Sequence, residues 1–170
     1  MKIVMKTLCC LLLSLWCVNG ICQTTRYSLS HISCSTPCRL SLIDSELTYK
    51  SYSCSCEYNG QPVNYRISID QSEYAKYYTA QSLYKTALQS NPPVQNLKYT
   101  TIQSRQAVQY DESIYIDGTS YKGRTVMFPY KSEAYSIMYI STPQYFDVRF
   151  ANSWCRSSNV HCWSRYLDFI

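Results

Sequence analysis

The sequence has 170 residues, with 16 Lys and Arg against 11 Asp and Glu, which gives a formal net charge of +5. Hydrophobic residues make up 46% of the chain and charged residues 16%, a balance that excludes intrinsic disorder, which requires low hydrophobicity and high net charge. Four Gly and six Pro exclude a collagen-like or linker-like chain. The length predicts roughly one domain.

The N-terminal segment has the pattern of a secretory signal peptide. Lys2 and Lys6 precede an apolar run from Leu8 to Val18, and polar residues follow it. The run is too short for a membrane-spanning helix, which needs about 18 apolar residues or more, and no later segment comes close. A cut before Gln23 and a cut before Ile21 both fit the small side chains required at the cleavage site. An N-terminal anchor that is never cleaved is the alternative.

We therefore predict a signal peptide over residues 1–22, an N-terminal extension over residues 23–33 and a single domain over residues 34–170. The mature chain is expected to be secreted or periplasmic, with no transmembrane segment after signal removal. Loss of Lys2 and Lys6 lowers the formal net charge from +5 to +3. This small charge, without a clustered basic face, gives no reason to expect nucleic acid as a partner.

Six cysteines follow the signal region, and an even number in an exported chain predicts three disulfides. They are Cys34, Cys38, Cys54, Cys56, Cys155 and Cys162. We expect Cys155 to bridge Cys162, because the two are close in sequence. Cys54 and Cys56 point to the same face of a strand, so both are expected to link to the segment of Cys34 and Cys38. The alternative is a zinc site with these four thiolates, although C-x-C is uncommon in such sites.

A hairpin and a helix are the first predicted elements of the domain. Tyr52–Tyr58 and Tyr65–Asp70 alternate with period two, which indicates strands, and Asn59-Gly60 between them is a strong hairpin signal. A helix capped by Asp70 should then cover Ser72–Ser90, because apolar residues and tyrosines recur there at spacings of three and four. The sequence Asn-Pro-Pro at residues 91–93 should end it.

Strand patterns return in the second half of the chain. They cover Tyr99–Val108, Ser113–Asp117, Arg124–Tyr130, Tyr135–Ser141 and Gln144–Phe150. A last helix is predicted over Val160–Ile170. We expect both hairpin strands and the last three of these strands to share one sheet. The predicted fold class is α+β, an antiparallel sheet of about 5–7 strands with helices packed on it.

The order of elements resembles the PsbP-like superfamily, in particular its small exported bacterial domains of uncharacterised function. The matching segments are Gly118–Arg124 (GTSYKGR), Ala134–Phe150 (AYSIMYISTPQYFDVRF) and Trp163–Ile170 (WSRYLDFI). The resemblance implies an α-β-α sandwich over roughly Cys34 to Ile170. It also implies an accessory or binding role, because members of this superfamily generally dock on larger partners. No set of functional residues carries over to this chain, and its six cysteines are not part of the family pattern.

Candidate catalytic residues are few. His31 and His161 are the two histidines, and His161 lies beside Cys162, whose thiol would be consumed by the expected bridge. No G-x-S-x-G, H-E-x-x-H, P-loop or G-x-G-x-x-G motif occurs. We therefore predict that the protein is not an enzyme and has no catalytic, cofactor-binding or metal-binding residues.

A combination of basic and aromatic residues in the second half suggests a possible binding face at Lys122, Arg124, Tyr145 and Arg149. The expected function is that of an exported, non-catalytic accessory or binding protein whose partner is a protein or glycan outside the cytoplasm. The alternatives are a secreted small hydrolase or nuclease-like enzyme, and a secreted toxin or inhibitor-type protein. A pocket with converging titratable groups would favour the enzyme, and an exposed apolar patch would favour a partner interface.

Overall fold

The computed structural model describes residues 25–36, 38–58, 61–146 and 167–169. Ten strands and one α-helix lie within these ranges. The strands are β1 (Thr25–Leu29), β2 (Ile32–Thr36), β3 (Ser41–Ser45), β4 (Tyr49–Tyr58), β5 (Gln61–Asp70), β6 (Gln95–Ile102), β7 (Arg105–Ile116), β8 (Thr119–Tyr130), β9 (Glu133–Ser141) and β10 (Leu167–Phe169), and the helix is α1 (Ala80–Leu88). Two short 3-10 turns cover Ala75–Tyr77 and Pro143–Tyr145.

Seven of the strands form one antiparallel sheet with the spatial order β3-β4-β5-β9-β8-β7-β6. A second, smaller sheet has the order β1-β2-β10. Strands that follow each other in the chain are mostly joined by two-residue loops, such as Asp117-Gly118, where both residues have positive φ. This turn geometry matches the twist of the flanking strands and holds their register.

The main sheet has two chemically different faces because its side chains alternate with period two. The apolar face carries buried Tyr65, Ile67, Phe128, Tyr135 and Ile137, and the small β1-β2-β10 sheet adds Leu29, Ile32 and Cys34 to the same core. The opposite face, called the polar face below, carries Ser51, Ser53, Arg66, Ser68 and Ser136 at its centre. Helix α1 packs on one half of the polar face, against β6, β7 and β8.

The predicted fold class, an α+β sandwich of the α-β-α type with helices packed on the sheet, is wrong. The structure is mostly β, and in the described residues one short α-helix packs on the main sheet. A second layer of strands, not a helix, covers the apolar face. The end of the predicted last helix, Leu167–Phe169, is the strand β10, and Leu167 pairs with Cys34 of β2. The other residues of that predicted helix lie outside the described ranges.

The helix predicted over Ser72–Ser90 is much shorter in the structure. It begins after Thr79, whose hydroxyl accepts a hydrogen bond from the Ser82 N–H at 3.1 Å, and the Ser82 hydroxyl accepts one from the Thr79 N–H at 2.9 Å. This reciprocal capping box fixes the helix start nine residues later than the expected cap, Asp70. Asp70 instead accepts a hydrogen bond from the Ser72 N–H at 2.9 Å and forms a tight turn at the end of β5.

Four of the five segments expected in one sheet are confirmed there as β4, β5, β8 and β9. In the fifth segment, Tyr145 lies in a 3-10 turn, and residues 147–150 are outside the described ranges. The segment Tyr99–Val108 was expected as one strand, but a turn at Gln103-Ser104 divides it between β6 and β7. Both turn residues have positive φ, 45° and 66°. Gln and Ser rarely adopt this conformation, so the sequence does not indicate a turn here.

Residues 25–33, which fall in the expected N-terminal extension, contribute to the core of the fold. Leu29 and Ile32 are 6% and 0% exposed, respectively. Among the described residues, no helix is both long and apolar enough to cross a membrane.

Candidate functional site

A groove lies on the polar face of the main sheet, beside helix α1. Its volume is about 350 Å³, which lies within the range of small-molecule binding sites. The floor is made by β5, β8 and β9, and one wall is made by α1 and the residue before its cap. The lining residues are Tyr49, Arg66, Ser68, Asp70, Tyr78, Leu83, Thr86, Met127, Ala134, Tyr135, Ser136 and Met138.

The groove exists because the sheet is wide and the helix on it is narrow. A helix with its side chains is about 10 Å across, whereas strands are about 4.8 Å apart, so one helix covers two or three strands. Helix α1 lies on β6, β7 and β8, the 3-10 turn Ala75–Tyr77 contacts β9, and the groove opens over the rest of β5 and β9. The facing residues on these two strands are Ser68 and Ser136, and the next pair contains Ala134. Their small side chains leave the open volume beside the helix.

Arg66 is held in the groove by a serine pair. The Arg66 Nε donates a hydrogen bond to the Ser51 hydroxyl at 2.8 Å, and the Ser51 and Ser68 hydroxyl oxygens lie 3.1 Å apart. Ser51 is fully buried, and Arg66 itself is half-buried. Within the described part of the chain, the structure gives Arg66 no carboxylate partner. The groove therefore holds a positioned guanidinium whose remaining donors can bind an anion.

The other end of the groove is acidic and aromatic. Asp70 follows Ser68 on the same face of β5, and Tyr49 is its direct partner on β4. One Asp70 oxygen accepts the Ser72 N–H, which orients the carboxylate. Met127 and Met138 from the floor and Leu83 from the helix supply the apolar lining. The groove thus combines one positive group, one negative group and a flexible apolar surface.

The groove does not contain a nucleophile paired with a base. Ser68 shares its hydrogen bond with Ser51, and no histidine or lysine is among the residues that line the groove. Within the described residues, the Asp70 carboxylate accepts the Ser72 N–H and makes no hydrogen bond to a serine hydroxyl. Serine catalysis requires a base within hydrogen-bond reach of the hydroxyl, and Asp70 is not in that position.

The predicted binding face lies on the opposite side of the sheet. Arg124 is 3% exposed, and its Nε and Nη2 donate to Asp111 at 2.5 and 2.7 Å as a bidentate ion pair. Lys122 is exposed two residues earlier on β8, and Tyr145 is half-buried in the 3-10 turn. Arg149 lies outside the described residues. Because the Arg124 guanidinium is already paired and buried, it supports the sheet instead of presenting a free charge.

A buried carboxylate joins the two sheets at another place. Glu133 is 5% exposed and accepts hydrogen bonds from Ser30 at 2.5 Å, from Gln71 at 2.6 Å and from the Tyr135 hydroxyl. Burial alone raises the pKa of Glu133, but the three hydrogen bonds outweigh it and hold the pKa below its ordinary value of 4.5. This network fixes the β1–β2 turn to β9 and is structural.

One of the predicted links between cysteines is confirmed. Cys38 is bridged to Cys54, with a Cα–Cα distance of 5.8 Å. The predicted second link, from Cys34 to β4, is not formed: Cys34 is a buried thiol, and burial raises its pKa to about 12. The bridge consumes two of the four thiolates of the alternative zinc site, and the described ranges contain no group of three or more metal-ligating side chains. Cys155 and Cys162 lie outside the described residues.

Sequence reasoning did not find the groove residues, because none of them belongs to a motif. Arg66, Ser68 and Ser136 occupy polar positions of correctly predicted strands, and such positions are normally solvent-exposed. Their proximity depends on the register between β5 and β9, which pairs Ser68 with Ser136. The one sequence feature that marks the groove is the set of small polar residues on β5 and β9. This feature becomes informative only when the two strands are known to be neighbours.

Comparison with known proteins defines the fold and nothing beyond it. No family model matches the chain, and no curated protein matches it in sequence. A crystal structure from Bacteroides thetaiotaomicron is similar, with a TM-score of 0.56 and 11% sequence identity, over 87% of this chain and 49% of that chain. This chain therefore spans about half the length of that protein. The identity is low enough that the likeness concerns the fold alone.

A second solved structure is PA94 from Pseudomonas aeruginosa, described as a protein of unknown function. It is 14% identical, with a TM-score of 0.47 over 82% of this chain and 97% of that chain. The resemblance to the PsbP-like superfamily stays a prediction.

Proposed function

We propose that the chain is an exported, non-catalytic binding protein that holds its ligand in the groove on the polar face. The observation that carries this proposal is the half-buried Arg66, fixed by Ser51 and facing a groove of about 350 Å³ without a carboxylate partner in the described residues. A positioned charge beside apolar lining is the usual composition of a ligand site. The ligand is part of a protein or a glycan outside the cytoplasm, or a smaller molecule found there.

Two observations support export. The basic and apolar N-terminal residues have the order of a secretory signal peptide, which would leave the chain secreted or periplasmic. The Cys38–Cys54 bridge fits an oxidising, non-cytoplasmic compartment.

The lack of a base beside the groove serines supports a binding role over a hydrolase. A hydrolase or nuclease would need a general base or a bound metal next to the reacting bond. The titratable groups among the lining residues are Asp70, Arg66 and tyrosines, and in the described residues Asp70 makes no hydrogen bond to a groove serine.

A second candidate is an accessory protein that docks a larger partner along the edge strand β3. All five residues of this strand are exposed, and Leu42 and Ile43 are 54% and 52% exposed. Leu47, just beyond the strand, is 97% exposed. An unpaired strand edge with apolar side chains is a template for strand addition by another chain.

Methionine labelling tests the first candidate directly. Two of the four methionines, Met127 and Met138, line the groove, and the other two lie in the signal region. The exported protein is labelled with [13C-methyl]methionine and titrated with fractions of the exterior medium, which is the extracellular fluid in which the protein naturally occurs. Its methyl NMR spectrum is recorded at each step. We expect at least one fraction to shift both groove methyl signals.

Matched variants locate the binding. Ser136→Leu fills the groove floor and should abolish the shift, whereas Ser113→Leu on the exposed part of β7 should not. If Ile43→Lys abolishes the pull-down of a partner protein and leaves the Met127 and Met138 methyl shifts unchanged, the edge-strand candidate is favoured instead. Turnover in broad hydrolase and nuclease panels that disappears in a correctly folded Ser136→Leu variant would overturn the non-catalytic assignment.

A further inference from the structure

The two charged residues that line the groove, Arg66 and Asp70, are both on β5. Arg66 and Asp70 are four residues apart on the same face, but the Arg66 Nε reaches the Ser51 hydroxyl, and Ser51 is the partner of Ser68 in the next row. The guanidinium therefore leans from its own row towards Asp70. Successive side chains on one face of a strand are about 6.6 Å apart, which is the approximate separation between the Ser68 row and the Asp70 row.

Both groups keep hydrogen-bonding capacity for a ligand. Arg66 uses its Nε for Ser51, and the paired Nη donors remain, which suits bidentate recognition of a carboxylate. Asp70 uses Oδ1 for the Ser72 N–H, and Oδ2 remains as an acceptor. The described residues place no ion pair between Arg66 and Asp70, so neither charge neutralises the other.

An apolar surface lies beside these two charges. Met127 and Met138 are half-buried on the floor, and Leu83 extends from the helix wall. Methionine side chains are flexible and adapt to apolar ligands of different shape. A ligand that meets the whole groove therefore has a cationic group, an anionic group and an apolar body.

We propose that the groove binds a zwitterionic α-amino acid unit with an apolar side chain, a deepening that rests on the proposed binding function. The carboxylate pairs with Arg66, the ammonium pairs with Asp70, and the side chain lies against the two methionines. In an amino acid the ammonium nitrogen and the carboxylate carbon are about 2.5 Å apart. With the carboxylate C–O bond of about 1.2 Å and a charge-assisted hydrogen bond of about 2.8 Å at each end, the span is at most about 9 Å, which is enough to bridge the row spacing.

The same charges disfavour other ligand classes. A polyanionic glycan would place a second negative charge near Asp70, and a simple amine would leave Arg66 without an anion. A free amino acid and a dipeptide carry the same two charges, which a peptide unit places up to about 3.8 Å further apart in the dipeptide, and the volume of about 350 Å³ admits either. The choice between these two sources is an outcome of the test.

The test is a titration of the methionine-labelled exported protein with defined compounds. The probes are leucine, leucyl-leucine, glycine, N-acetyl-leucine, which lacks the ammonium, and leucinamide, which lacks the carboxylate. We expect leucine or leucyl-leucine to shift the Met127 and Met138 methyl signals saturably. The two blocked leucines and glycine should bind at least about tenfold more weakly, because each lacks one of the three contacts. The tighter of leucine and leucyl-leucine identifies the source.

Charge variants assign each end of the ligand. Asp70→Asn keeps an acceptor for Ser72 but removes the charge, so it should weaken leucine at least about tenfold and leave N-acetyl-leucine unchanged. Arg66→Gln should weaken both. The matched controls are Arg39→Gln and Asp117→Asn, which remove exposed charges outside the groove lining and should change neither affinity. Thermal melting and dispersed methyl signals verify that each variant is folded.

The possible results separate this inference from the proposed function. If a fraction of the exterior medium shifts the groove signals but no zwitterion does, the ligand class is wrong and the binding role stands. Equal binding of leucine and its blocked forms, or binding that Asp70→Asn and Arg66→Gln do not change, also overturns the ligand class. If neither the medium nor any probe shifts the groove signals, both proposals fail.

Discussion

Removal of the Cys38–Cys54 bridge should destabilise the protein by an amount that follows from its loop. The bridged residues are 16 apart in sequence, and Cys54 is 5% exposed in the core. Closing a loop of that length lowers the entropy of the unfolded chain and stabilises the fold by about 3 kcal/mol. For a chain of this size, each kcal/mol corresponds to about 2–4 °C in melting temperature. The expected loss in the Cys38→Ala/Cys54→Ala double variant is therefore about 6–12 °C.

The assay is urea unfolding of the wild type, both single alanine variants and the double variant. Because either substitution removes the same bridge, the single and double variants should lose nearly the same free energy of unfolding. Non-reducing peptide mapping of the wild type should recover one peptide that joins Cys38 to Cys54. Single-variant losses that add up in the double variant, or a double-variant loss below about 1 kcal/mol, would refute the loop-entropy reasoning.

Three further predictions concern the contacts that build the fold. Arg124→Ala should cost about 1–3 kcal/mol in urea unfolding, because it leaves the half-buried Asp111 with Asn96 as its remaining side-chain partner; a loss below about 0.5 kcal/mol would contradict the role of this pair. The folded-state pKa of Glu133 is lowered, so its stabilisation is complete above about pH 4.5 and decreases as the pH falls through the folded value. The difference in unfolding free energy between wild type and Glu133→Gln should therefore shrink below pH 4.5, and a difference that does not depend on pH would contradict it. Thr79→Ala should lower stability by about 0.5–2 kcal/mol through loss of the N-cap, whereas Gln81→Ala on the exposed side of α1 should have almost no effect on the melting temperature.

The sequence predicts local structure well where one period dominates. The β4–β5 hairpin and β8 follow the alternation of Tyr52–Asp70 and Val126–Tyr130, β9 follows the apolar residues on both faces of Tyr135–Ser141, and all four strands share one antiparallel sheet. Alternation reports that a strand has one buried face, and this property depends on the residue types alone. Strand alternation also made the Cys38–Cys54 bridge predictable, because it places Cys54 on the core face of its strand.

The sequence could not predict which layer covers each face. Residues 72–90 have helical spacing, but Thr79 and Ser82 form a capping box that starts the helix only at Ala80. The apolar face needs a cover, and residues 25–36 provide it as strands although they resemble a polar extension. Such choices depend on contacts between distant segments, for which local propensity is a weak guide.

The candidate site was missed for a related reason. Arg124 has the sequence context of a surface cation, yet cross-strand register places it against Asp111 and buries it. Arg66 has the context of a solvated strand residue, yet register and the short helix place it in a groove. The same residue type therefore changes role according to its strand neighbours.

The most direct test of the groove as a ligand site is the detection of nuclear Overhauser effects between bound leucine or leucyl-leucine and the protein labelled at its Met, Leu and Ile methyl groups. The proposed binding mode predicts contacts from the ligand's apolar side chain to the methyl groups of both Met127 and Met138. Contacts to the methyl groups of Leu42 and Ile43 on the β3 edge, without contacts to the two methionines, would contradict it.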